Sequence, residues 1–166
     1  AIIAQDTPEK EVKKASKALS KYNYDNNANK ESLTEAKNLI DHALTTSEAK
    51  GMYNAWLTKG NVYNEIASND AIMAQINKDY KALYPSASLE AFNALDKAMS
   101  LAQKKYESKD AFEGMVTSAK YLNKFGEVSY YSSDFKNAYD AFLAVLKIAD
   151  YGKQIDEKAF KLTEDD

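Results

Sequence analysis

The chain contains no cysteine. Disulfides, thiolate metal sites, cysteine nucleophiles and a lipid-modified cysteine are therefore excluded within these 166 residues. Arginine is absent too: all 22 basic residues are lysine. Bidentate reading of phosphate or guanine is thus missing. A formal net charge of −3 removes the electrostatic drive toward nucleic acid. No apolar run approaches the roughly 20 residues that a membrane-spanning helix needs, so no direct insertion into a membrane is expected. Glycine-rich phosphate loops, zinc motifs and nucleophile elbows are lacking. Asp41-His42 carries the only histidine, with no nucleophile in register, and His42 reads as a surface residue. The expectation is a non-enzymatic protein that uses no cofactor and no metal.

Five glycines and two prolines against twelve tyrosines point to helices packed through amphipathic rings, with few tight turns. An apolar content of 45% supports a packed core. Ala1-Ile2-Ile3-Ala4 resembles the tail of a secretory signal peptide, so residues 1–6 are set apart as a leader remnant or disordered start. This implies an extracytoplasmic place in a bacterium, in the periplasm, the cell envelope or secreted; the alternative is cytoplasmic.

Apolar residues recur at helical spacing almost throughout, and no stretch reads as a strand. The class is all-α. Thr7-Pro8-Glu9 opens the first helix with a cap, a proline at the first position and an acid in the first turn. Asn23 to Lys30 reads as a loop. Asp25, Asn27 and Asn29 imitate a calcium loop, but Lys30 and Ala36 stand where its glycine and glutamate belong. Ser32-Leu33-Thr34-Glu35 has the form of a capping box, Ser47 of a cap, Ser86 or Ser88 of another cap, and Asp110 with Glu113 of a second box. The helix bearing Trp56 is expected to stop near Ala67, with Ser68-Asn69-Asp70 as a turn or a second cap. A separate inserted helix is expected over 71–84, on the rhythm of Ile72, Ile76, Tyr80 and Leu83, until Pro85 ends it. Phe135, Ala138, Phe142, Val145, Leu146 and Ala149 form the apolar side of the last strong helix, which Gly152 terminates. A short helix follows at 155–162.

Trp56, Gly60 and Tyr63 share one helix face. A glycine inside a helix costs about 1 kcal/mol, so Gly60 implies a close approach by another backbone. Three helices repeat a pattern of a small residue with a large apolar residue four later: Ala36 with Ile40, Ala91 with Leu95, and Ala138 with Phe142. Gly60 and Gly126 each precede one of these helices. Trp56-Gly60-Tyr63, Ala91-Leu95-Ala98 and the twelve-residue step from Gly126 to Ala138 resemble the tetratricopeptide repeat family. Lys59 and Ser129 depart from its signature, and the patterned alanines are 55 and 47 residues apart instead of the family's roughly 34.

The resemblance implies a right-handed α-solenoid over 7–152, with units at about 8–46, 47–107 and 110–152. Residues 153–166 would be a short cap or the start of a further repeat. It further implies a scaffold or adaptor that takes a protein partner, as an extended peptide or a helix, in its concave groove. By register, that groove would present Asn54, Leu57, Asn61, Asn64 and Glu65 from one helix, and Lys120, Asn123, Glu127, Tyr130 and Tyr131 from another. Asparagine amides both donate and accept, as a peptide backbone requires. Lys13, Lys17, Lys120 and Lys124 would suit a carboxylate clamp known in the family, but Thr58 stands where that clamp has an amide. The alternative function is a structural or self-association module of a longer cell-envelope protein, as a homo-oligomer.

Overall fold

The structure, a computed structural model, describes residues 6–155. Those residues form seven α-helices and no strand: α1 Pro8–Tyr24, α2 Lys30–Ala43, α3 Ser47–Lys50, α4 Tyr53–Ile76, α5 Ala87–Leu101, α6 Lys105–Tyr131 and α7 Phe135–Ile155. None is long and apolar enough to cross a membrane. The apolar start at residues 1–4 and the helix expected through 162 lie outside the described residues.

Local chemistry explains most helix ends and corrects several expectations. The Thr7 hydroxyl accepts from the Lys10 amide at 3.3 Å, so α1 begins where the sequence indicates. The loop after it is closed by Asn29, whose amide donates to the Lys21 and Asp25 carbonyls at 3.0 Å. That closure starts α2 at Lys30 and leaves Ser32 buried inside the helix, not capping it. Thr46, not Ser47, caps α3, by accepting from the Ala49 amide at 3.2 Å. Ser86 stands at the start of α5 without a side-chain cap. The start of α6 is set by Glu107, whose carboxylate accepts from the Gln103 and Lys104 amides at 2.7 and 3.0 Å. Asp110 and Glu113 therefore lie within α6, and the box expected there does not form.

The inserted helix expected over 71–84 is not present. α4 instead runs unbroken through Ser68-Asn69-Asp70 to Ile76, and 77–86 is non-helical. Asn69 and Asp70 do not cap because their side chains are engaged elsewhere. Asn69 exchanges hydrogen bonds with the Tyr22 hydroxyl of α1 at 2.8 and 3.0 Å, and Asp70 accepts from Tyr80 at 2.5 Å. Ile72, Ile76 and Leu83, whose rhythm suggested a buried face, are exposed. Gly152 does not end α7 either; it is buried in the packed face of a helix that continues to Ile155.

The helices pack as neighbouring pairs, α1 with α2, α4 with α5 and α6 with α7. α2 also packs on α4, and α5 on α6. α4 touches both α1 and α6. Tyr53 bonds to Glu107 and Asn64 to Ser118, both at a separation of 54 residues. A constant separation means that α4 and α6 run parallel, because antiparallel helices would give a constant sum instead.

Gly60, Gly114 and Gly126 sit at side-chain contacts. A Cβ built on Gly60 would lie 2.4 Å from Leu95 Cγ, and one on Gly114 would lie 2.8 Å from Leu95 Cδ2. Leu95, fully buried, is thus a knob seated between α4 and α6. The close neighbour of Gly60 is this side chain, not the backbone that the sequence suggested. Gly126 repeats the device with the ring of Phe142, at 2.8 Å.

Candidate functional site

α1, along nearly its whole length, and the first residues of α4 enclose a groove of about 700 Å³. α1 contributes Val12 and Leu19 as apolar floor, with Glu9, Lys13, Ser16, Ser20 and Asn23 beside them. From α4 come Met52, Tyr53, Asn54, Leu57, Thr58 and Asn61, and α6 adds Glu107. Thr7 and its proline fix the start of α1, while Trp56 donates from its indole to the Lys50 carbonyl at 2.9 Å and latches α4 to the end of α3.

The charged groups here are already engaged. Lys13 reaches Glu9 at 2.8 Å, and this hydrogen bond holds the Glu9 carboxyl below its usual range. The amides of Gln103 and Lys104 do the same for Glu107. Burial, followed by the nearby Asp110 and Glu107 carboxylates, pushes the Tyr53 phenol up to about 12. Tyr53 therefore stays a neutral donor, bonded to the Glu107 carbonyl at 2.7 Å. What remains to meet a ligand is a set of neutral amides and hydroxyls over apolar carbon.

Of the residues singled out from sequence, Asn54, Leu57 and Asn61 meet in this groove. Asn64 does not belong to it. Its amide is buried, donating to the Gly114 carbonyl at 2.9 Å and accepting from the Ser118 hydroxyl at 2.8 Å. It ties α4 to α6, and its burial keeps it from a partner. Glu65 is half-buried, and its carboxyl is raised by that burial. Lys120, Asn123, Glu127 and Tyr130 are exposed on the second half of α6, away from the groove lining. Lys124 pairs with Glu127 at 3.5 Å, and Tyr130 packs edge-on to Tyr131 and Phe135. Of the four clamp lysines only Lys13 lines the groove.

Apart from Lys13, the α1 half of the wall was not read from the sequence, because α1 lacks the glycine that sets the register elsewhere. Its polar stripe at Glu9, Lys13, Ser16, Ser20 and Asn23 follows the 4-3-4-3 spacing of one helix face. That spacing was the available signal.

Two other features bear on chemistry. Asp41 accepts from Lys37 and from the Tyr63 hydroxyl, each at 2.8 Å, with Lys59 at 3.2 Å. Burial raises the Asp41 carboxyl, but these partners outweigh it and hold the group below 3.8. The same burial pushes Tyr63 well above its ordinary value. His42 is exposed, as expected of a surface residue, but its Nδ1 lies 2.9 Å from both carboxylate oxygens of the buried Glu11. Both networks join α2 to its neighbours. A larger cavity, about 780 Å³, lies between the start of α6 and the end of α7, with Phe112, Val116 and Ile155 among its lining. Its Lys109 and Glu113 stand 4.0 Å apart, and it lacks the convergent amides of the groove. Among the described residues no group of three His, Cys, Asp or Glu side chains could hold a metal ion. Comparison of the chain with protein-family models, with curated proteins and with solved structures finds no match.

Proposed function

We propose that this protein is a non-enzymatic scaffold of tetratricopeptide-like helical repeats, whose α1–α4 groove binds an extended segment of a protein partner. The observation that carries the reading is the convergence of Asn54, Asn61, Ser16, Ser20 and Asn23 over the apolar floor of Leu57, Val12 and Leu19. Amides and hydroxyls satisfy both the donors and the acceptors of an extended backbone, while apolar carbon takes its side chains. These residues stand on long helices, so little order has to be imposed on binding. Three successive helix pairs and the parallel course of α4 and α6 support the repeat architecture. The groups displaced most from their ordinary protonation belong to interhelical networks, which favours a binding module over a catalyst.

The test is a peptide-display selection against the folded protein, followed by calorimetry with the selected peptide. Replacing Asn54 and Asn61 together by alanine should weaken binding by at least about tenfold, since each lost hydrogen bond is worth about 1 kcal/mol. Asn123→Ala, away from the groove, should leave affinity unchanged. Equal affinity in the groove variant and the parent would refute the assignment.

A further inference from the structure

The three patterned helices differ in what covers them. Three residues before, and one, four and eight after, the patterned alanine, α7 carries Phe135, Tyr139, Phe142 and Leu146. Around Ala36 the matching large apolar residues are Leu33, Ile40 and Leu44, all buried, on a helix that packs against α4. Around Ala91 they are Phe92, Leu95 and Met99, which join the cluster of Phe112, Met115 and Leu122 on α6. In both cases another helix, α4 or α6, lies over the stripe. On α7 the same four positions are 60%, 65%, 39% and 54% exposed. Tyr131, 85% exposed, extends the patch through Tyr130, whose ring lies 5.7 Å from those of both Tyr131 and Phe135.

We propose that a second copy of this chain covers this stripe, with the two α7 helices packed antiparallel about a two-fold axis. Helices cover the matching stripes of α2 and α5, and a two-fold axis across α7 supplies one from an identical molecule. Its 4-3-4 spacing is that of a coiled-coil seam, which is complementary to itself. Charge does not oppose the pairing: Lys136 is bonded to Asp140, and Lys147 to Asp96 at 2.6 Å. Aromatic side chains bury about 150–250 Å² each, so the exposed parts of the stripe and Tyr131 amount to on the order of 600 Å² per copy. Two such faces reach about the 1,200 Å² at which stable interfaces begin. The surface lies on α7, apart from the α1–α4 groove, so dimerisation and groove binding fail or succeed separately.

Sedimentation velocity from micromolar to near-millimolar protein tests the proposal. The parent should pass from monomer to dimer. Tyr139→Lys with Leu146→Lys should raise the dissociation constant by about tenfold or more, since central aromatic contacts dominate such interfaces. Both positions are more than half exposed, so far-UV circular dichroism should show an unchanged fold. Because the chain has no cysteine, a single introduced thiol reports proximity. A short bis-maleimide should link Tyr139→Cys molecules in pairs and leave Ser20→Cys molecules in the groove unlinked. A parent that stays monomeric throughout, a dimer indifferent to the two lysines, or linking at position 20 instead of 139 would each overturn the assignment.

Discussion

Adding one methyl group at position 60 should destabilise the protein even though it improves the helix. Alanine is favoured over glycine inside a helix by about 1 kcal/mol. At Gly60, however, the new Cβ would stand 2.4 Å from Leu95 Cγ and 2.6 Å from Cδ2, against about 3.5–4.0 Å for an ordinary carbon contact. Leu95 would have to retreat by more than about 1 Å to restore that separation. Gly114 leaves it little room on the other side, where a Cβ built on that glycine would stand only 2.8 Å from Leu95 Cδ2. Overpacking of this kind costs about 1–3 kcal/mol, and here the upper part of that range applies because both sides are closed. Gly60→Ala should therefore lose about 1–2 kcal/mol net.

Leu95→Ala should lose about 2–5 kcal/mol through the cavity that it leaves. In the double variant that cavity accepts the new methyl. The combined loss should then fall short of the sum of the single losses by at least about 1 kcal/mol, well beyond the scatter expected for independent sites. Urea unfolding followed by circular dichroism measures all four corners, with the slope expected to stay constant. Two comparisons sharpen the test. At Gly126 the obstacle is the ring of Phe142, 39% exposed and free to swing outward, so Gly126→Ala should lose less than Gly60→Ala. At Gly51 the nearest atom is at 3.5 Å, so alanine there should be neutral or stabilising by up to about 1 kcal/mol. A Gly60→Ala protein as stable as the parent, or a strictly additive cycle with Leu95→Ala, would refute the knob-and-glycine account.

Two further predictions concern polar groups. Asn64→Ala should lower stability by about 1–3 kcal/mol, because the buried Gly114 carbonyl and Ser118 hydroxyl each lose a partner. A groove residue would behave oppositely, with unchanged urea unfolding and a loss in calorimetric binding alone. Asp41→Asn should be less stable than the parent at neutral pH. Since the Asp41 carboxyl is held below 3.8 in the folded state, its contribution is present above that value and vanishes as pH falls through the depressed one. Thermal unfolding at successive pH values should show the gap between parent and variant closing in acid; a gap of constant size would remove Asp41 from the account.

The sequence alone determined the all-helical class and the start of α1, because helical period and the Thr7-Pro8 cap are local properties that a neighbour need not supply. The three-fold recurrence around Ala36, Ala91 and Ala138 was legible for the same reason. So was the place of Gly60 and Gly126 one helix before a patterned alanine, but not the side chains of Leu95 and Phe142 that stand against them. Tertiary structure decided the rest through partners distant in sequence. Asn69 is a plausible cap until Tyr22, 47 residues away, takes its amide and lets α4 continue to Ile76. Asn61 and Asn64 are three residues apart on one helix and chemically identical. Only the position of α6 makes one a wall of the groove and the other a buried tie. Phe142 and Leu95 each stand four residues after a patterned alanine, and their difference in burial is not in the side chain. It lies in whether another helix stands beyond it: α6 covers Leu95, and among the described residues nothing covers the α7 stripe.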